Sequence, residues 1–242
     1  MCIYFVTDII MDMKKLFLLA LAVLTLASCQ KSAQNEIAET TKETKEACMK
    51  KLFIVDPQNG FMDTGSLPVQ GAQARMDALA EYLKALPLDS YEKIYVSLDW
   101  HPANHSSFSE YGGIWPEHCV AFTTGALVTE PLQSELMRWM KAEKVVFITK
   151  GTEQAVEEYS SLDNPKTAAF LREDLMDTAE LDVCGVVGTV CVQNTLKGLA
   201  EKAIDASRVK ILPEYIAQFS EEDEAQFLEW FEKEFKQIAL AE

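Results

Sequence analysis

His101, His105 and His118 are the only histidines in the chain, and they fall within one short stretch. They stand in the segments Asp99-Trp100-His101-Pro102-Ala103-Asn104-His105 and Trp115-Pro116-Glu117-His118-Cys119. A carboxylate and imidazoles drawn from neighbouring positions suit a divalent cation of borderline hardness, with Zn first and Fe or Mn behind it. A lone histidine is more often a packed or surface residue. Three of them beside one aspartate are better explained as a metal site. Asp99, His101 and His118 are the first choice of ligands. His105 is left as either a fourth ligand or a partner that orients one.

Cys191 is the candidate nucleophile. It follows an apolar run and a glycine-containing turn, Gly188-Thr189-Val190, and then a helical pattern begins. The free amides and the dipole at a helix N-terminus favour a thiolate there. The same amides suit an oxyanion formed by attack on a carbonyl. The plainer alternative is a buried cysteine acting as a small apolar residue, and Cys184, inside the run, fits that better. Asp56 and Lys150 close two further apolar runs. An aspartate can take the thiol proton and a lysine can hold the resulting charge.

These residues need a frame that brings distant segments together. Short apolar runs rich in β-branched residues occur at 52–56, 94–99, 145–149, 183–187 and 209–212. Runs of this kind, apolar throughout, suit strands covered on both faces in a parallel sheet. Helical patterns lie between them, at roughly 72–86, 132–141, 167–176, 193–206 and 221–240. The alternation predicts an α/β fold, an open and mostly parallel sheet between two layers of helices. Ligands in such sheets bind beyond the carboxyl ends of the strands, which is where Asp56, Asp99, Lys150 and Cys191 fall. The last helix carries a capping signal, Ser220 with Asp223. It also carries an apolar stripe of Phe227, Phe231, Phe235 and Ile238, with Trp230 beside it, expected to pack in the core.

The first residues read as an address. Lys14-Lys15 precede the apolar run Leu16 to Leu26, which is too short to span a bilayer but fits a secretory signal. The run ends in Leu26-Ala27-Ser28-Cys29, similar to a bacterial lipobox in which Cys29 becomes the lipid-modified N-terminus. The expected organisation is a signal peptide at 1–28, a lipidated cysteine and polar tether at 29–50, and one domain at 51–242. The expected location is the bacterial cell envelope, facing the periplasm or the outer surface, with the membrane reached through the lipid at Cys29. Cys48 ends the tether with no obvious partner, and Cys119 sits beside the proposed ligand His118.

Composition narrows the partners. The 242 residues carry 22 Lys and Arg against 38 Asp and Glu, a net charge of −16. That excess excludes nucleic acid as the main partner, because phosphate backbones need a basic surface. The proportion of apolar residues, 48%, is that of a folded domain and excludes disorder throughout. A homo-oligomer is left open.

Five motifs together resemble the isochorismatase-like cysteine hydrolases, and within them the nicotinamidase/pyrazinamidase group. They are Leu52 to Val69 (LFIVDPQNGFMDTGSLPV), Ser97 to Phe108 (SLDWHPANHSSF), Trp115 to Val120 (WPEHCV), Ile148 to Asn164 (ITKGTEQAVEEYSSLDN) and Gly185 to Thr195 (GVVGTVCVQNT). The histidine-bearing pair points to nicotinamidases.

The resemblance implies the isochorismatase-like α/β/α sandwich and a metal-dependent amidohydrolase. Such an enzyme converts nicotinamide, and amides like pyrazinamide, to the acid and ammonia through a cysteine thioester. It implies Asp56, Lys150 and Cys191 as catalytic triad, and Asp99, His101 and His118 as metal ligands, with His105 ligating in some members. Phe61 and Trp115 fall on aromatics that sandwich the substrate ring. The peptide before Val187 is cis in the family, which makes the amides of Val187 and Cys191 the oxyanion hole. Two departures stand out. Gly60 occupies the place of a common Asp, and the turn Val187-Gly188-Thr189-Val190-Cys191 stands where A-T-D-x-C is usual. They leave room for another amide or carbamoyl substrate. A reading of another kind is a non-catalytic metal- or ligand-binding lipoprotein.

Overall fold

The computed structural model describes residues 50–238. The signal peptide, Cys29, Cys48 and the tether up to residue 49 lie outside the described residues. Five strands, β1 (Lys50–Val55), β2 (Lys93–Asp99), β3 (Val145–Lys150), β4 (Glu180–Gly185) and β5 (Val209–Ile216), form one sheet in the order β3-β2-β1-β4-β5. All four pairings are parallel. The central strands are almost wholly buried, whereas the edge strands β3 and β5 mix buried, half-buried and exposed residues. That contrast follows from position, since only the central strands are covered on both faces.

Five helices connect and cover the strands: α1 (Ala72–Ala85), α2 (Leu132–Lys141), α3 (Pro165–Leu175), α4 (Gln193–Lys202) and α5 (Glu221–Trp230). Helix α1 buries Met76, Leu79, Ala80 and Leu83, and α2 buries Leu132, Leu136 and Trp139, each set on one stripe at helical spacing. Burying one such large apolar side chain contributes about 1.5–3 kcal/mol. From β1 to β3 the chain moves outward in one direction, and from β4 to β5 in the other. Right-handed crossovers therefore put the two sets of helices on opposite faces. The reversal falls between β1 and β4, and a cleft opens there beyond the strand ends.

Several boundaries differ from the pattern. Strand β4 runs 180–185 rather than 183–187, because the chain turns at a cis Val186–Val187 peptide. Strand β5 continues through Pro213 to Ile216; an edge strand tolerates a residue with no donor. Helix α3 starts at Pro165, where the Asn164 side chain accepts the N–H groups of Lys166 and Thr167. Helix α4 ends at Lys202, and Asp205 begins a separate short turn by accepting the Ser207 N–H. Beyond α5 a wider π turn, Phe231–Phe235, leads to Lys236–Ile238. Phe227, Phe231 and Phe235 stay buried through it, but Ile238 turns out to 38% exposure. The wider turn carries more residues per revolution, so the face that begins at Phe227 does not reach Ile238. Ser220 caps α5 by accepting the Asp223 N–H.

Candidate active site

Asp56 lies one residue past β1 in a left-handed conformation, φ 48°, which aspartate tolerates better than most residues. Its N–H donates to the Ser97 carbonyl at 3.1 Å, and the Ser97 hydroxyl donates to its Oδ1 at 2.7 Å. Asp99 and Lys150 are paired directly across β2 and β3. Lys150 Nζ reaches three groups: it pairs with Asp99 Oδ1, lies 3.0 Å from Asp56 Oδ2 and lies 3.6 Å from Cys191 Sγ. Parallel register thus gathers residues from four strand ends at one point. Asp56, Asp99, Lys150 and Cys191 are all buried.

The charges settle one another. Burial pushes the Asp56 carboxyl above its usual range; Lys150 opposes this, and the nearby Asp99 charge adds to it. Burial would do the same to Asp99, but the Lys150 ammonium holds it well below. Burial would lower Lys150, yet the two carboxylates keep it well above its ordinary value. Burial raises the Cys191 thiol far above the usual cysteine value, despite Lys150. The thiol is therefore protonated at rest and needs a base in contact. Asp56, Asp99 and Cys191 each offer an atom within 4.8 Å of the others. Asp56 Oδ2 accepts no well-aligned hydrogen bond, so a lone pair there is free.

Asp99, His101 and His118 form a second group, all buried. Nε2 of His101 and of His118 lie 3.6 and 3.7 Å from Asp99 Oδ2. The opposite ring nitrogens, both Nδ1, bond the carbonyls of Gly151 at 3.0 Å and Pro116 at 2.8 Å. A carbonyl accepts only, so each ring carries its proton on Nδ1 and turns a bare Nε2 toward the carboxylate. Two imidazole lone pairs and one carboxylate facing a common point fit a divalent metal. Gly151, at φ 62°, is required beside them, because a Cβ there would stand 2.3 Å from His101 Cε1. His105 is placed differently. Its Nδ1 meets the Ser107 hydroxyl at 2.7 Å, its Nε2 meets the Val156 carbonyl at 3.0 Å, and its ring packs 4.3 Å from that of His101.

Lys150 and Cys191 of the first group and Asp99, His101 and His118 of the second line one pocket. Phe61 and Trp115 line it, with Leu67, Tyr159, Val190 and Phe219. Trp115 stacks on Phe219 at 6.2 Å and donates its indole N–H to the Tyr159 hydroxyl at 3.3 Å. Cys191 sits in a π turn, Gly188–Val192, that leads directly into α4. Among the described residues the Val187 N–H has no hydrogen-bond acceptor.

Sequence reasoning missed Ser97 and Gln58. Ser97 is the one aliphatic hydroxyl within the buried run of β2, and that was its signal. Gln58 clamps Asp99 by both peptide groups: its Nε2 donates to the Asp99 carbonyl at 2.7 Å and its Oε1 accepts the Asp99 N–H at 2.8 Å. Tyr159 stands within the motif at 148–164 but was not singled out there, and Phe219 comes from a segment with no motif to mark it.

The chain is 31% identical over 168 residues to the nicotinamidase/pyrazinamidase of Mycobacterium tuberculosis, covering 67% of this chain and 84% of that protein. The chain belongs to the nicotinamidase/pyrazinamidase family. Two solved nicotinamidase-type structures share the fold. Pyrazinamidase of Pyrococcus horikoshii, in complex with zinc, matches at TM-score 0.64 and 32% identity, over 79% of this chain and 96% of that one. PnC1 from L. infantum, in complex with nicotinate, matches at TM-score 0.65 and 27% identity, over 79% and 90%. The mostly parallel isochorismatase-like sandwich is thus the fold, all five described strands being parallel. A family model for the prokaryotic membrane lipoprotein lipid attachment site matches residues 13–30. This nicotinamidase-family chain is accordingly a lipid-anchored envelope protein. No helix among the described residues is long and apolar enough to cross a membrane.

Proposed function

We propose that the protein is a metal-dependent cysteine amidohydrolase that converts nicotinamide to nicotinate and ammonia, and takes pyrazinamide-type amides as well. The observation that carries this reading is the meeting of Asp56, Lys150 and Cys191 beside Asp99, His101 and His118 in one aromatic-lined pocket. The relatives named above support the substrate class.

In this reading the pyridine ring lies between Phe61 and Trp115, with the carboxamide toward Cys191. Asp56 takes the thiol proton, and Lys150 holds the charges of Asp56 and the new thiolate in balance. Sγ attacks the amide carbon, and the N–H groups of Val187 and Cys191 receive the oxyanion. Losing one such donor typically costs about 10²–10³ in rate. Asp56 returns its proton to the departing nitrogen, and the C–N bond breaks to leave a thioester and ammonia. Asp56 then draws a proton from a water that attacks the thioester, releasing nicotinate and the thiol. Asp99, His101 and His118 would hold the metal, with Zn the first candidate. When bound, the metal supplies a Lewis acid beside the substrate ring.

The lipid is carried by Cys29, so the tether of residues 29–50 holds the domain, 51–242, at the periplasmic or outer face of a membrane. The test of the chemistry is covalent trapping. Alkylation of Cys191 should be blocked by nicotinaldehyde, and acid quenching during turnover should capture an acyl group on Cys191 by mass spectrometry. An unreactive Cys191 with no trapped acyl group would overturn the proposal.

A further inference from the structure

The turn that presents Cys191 lacks the Asp usual in the family motif and has Gly188-Thr189 in place of Thr-Asp. The hold on this turn comes instead from the segment beyond β5. Gln218 Oε1 accepts the Thr189 N–H at 2.9 Å. The Ala217 carbonyl accepts the Gly188 N–H at 3.0 Å, and the Ala217 N–H donates to the Gly185 carbonyl at 3.1 Å. Gln218 is 5% exposed, and its amide lies directly over Gly188. A Cβ on residue 188 would stand 1.6 Å from Gln218 Nε2 and 2.3 Å from its Cδ. Glycine at 188 and glutamine at 218 are therefore a matched pair.

Gln218 Nε2 makes no hydrogen bond. Burying an unpaired donor is unfavourable, and packing alone would be served as well by an apolar side chain. The useful atom is the acceptor, fixed on an amide two residues before Cys191. We propose that Gln218 is a positioning residue for the nucleophile turn. It holds Thr189 so that Sγ of Cys191 and the N–H groups of Val187 and Cys191 keep one geometry toward the amide carbon. The inference rests on the reading of Cys191 as nucleophile.

The test uses the full chain with Gln218→Leu, Gln218→Glu, Gln218→Ala, Gly188→Ala and the double variant Gly188→Ala/Gln218→Ala. Gln218→Leu keeps the bulk and loses the acceptor. Its kcat per alkylatable Cys191 should fall about 10- to 100-fold, the scale of an ångström-sized misplacement, with KM within about threefold. Gln218→Glu keeps an acceptor at a helix N-terminus, where a carboxylate is favoured, and should restore most of the loss. Gly188→Ala should be damaging alone yet add little in the Gln218→Ala background, where the methyl has room. Amide hydrogen exchange supplies a readout independent of turnover: Thr189 should lose protection in Gln218→Leu and keep it in Gln218→Glu. Wild-type kcat in Gln218→Leu, independent multiplication of the Gly188 and Gln218 losses, or unchanged Thr189 protection would each overturn the inference. An inactive wild type whose Thr189 protection still depends on Gln218 would instead overturn the nicotinamidase reading and leave the loop assignment standing.

Discussion

Lys150 Nζ lies 3.0 Å from Asp56 Oδ2, and both groups are cut off from water, Lys150 at 1% and Asp56 at 0% exposure. Asp99 shares the same ammonium. One cation thus serves two buried carboxylates and stands within reach of the candidate nucleophile.

Removing that cation leaves two like charges in a site of low polarity. Lys150→Met should destabilise the fold by about 3–5 kcal/mol, the usual cost of breaking a buried pair, and abolish turnover. Urea unfolding measures the first effect. A loss below about 1 kcal/mol would mean that the carboxylates find another partner.

The two histidine environments separate ligand from neighbour. His101→Ala should strip the metal, because it removes one of the two Nε2 donors facing Asp99. His105→Ala should leave metal content near one per chain, since both of its ring nitrogens are occupied by Ser107 and Val156. Elemental analysis of the purified variants decides between them, and metal loss in His105→Ala would make it a ligand after all.

Trp115 lines the pocket, stacked on Phe219 and bonded to the Tyr159 hydroxyl. Trp115→Ala should raise KM for nicotinamide about tenfold with a smaller change in kcat, as expected for loss of an aromatic stack together with its apolar area. Steady-state kinetics with nicotinamide and pyrazinamide measure this, and an unchanged KM would remove Trp115 from the substrate site.

Anchoring should be separable from catalysis. Cys29→Ser should move the protein from the membrane fraction to the soluble fraction and leave activity per folded molecule unchanged. Membrane retention in that variant would place the anchor elsewhere.

Much of this architecture was legible before any coordinates. Apolar runs with charged ends marked the strands, and parallel topology then required Asp56, Asp99, Lys150 and the Cys191 turn to converge. Two classes of feature were hidden. Boundaries moved where local chemistry intervened: the Asn164 cap and the π turn that turns Ile238 outward, whereas the cis peptide before Val187 was already implied by the family resemblance. Supporting contacts were hidden because they join residues far apart in sequence. Nothing near Gln58, Ser97 or Gln218 in the chain says which peptide group each will hold, and only the packed sheet brings them there. His105 stood between two roles for the same reason, since Val156 reaches its Nε2 from a loop 51 residues away.

In the proposed mechanism Cys191 hydrolyses nicotinamide with the help of a metal held by Asp99, His101 and His118. The most direct measurement is ammonia and nicotinate formed from nicotinamide by the full chain in detergent, in three preparations: metal-loaded, chelated, and metal-loaded Cys191→Ala. Equimolar ammonia and nicotinate are expected from the first. The variant should lose at least about 10³-fold, as for other nucleophile deletions, and chelation should cause a loss that added metal restores. Ammonia release that survives in Cys191→Ala would contradict the role of Cys191 as nucleophile.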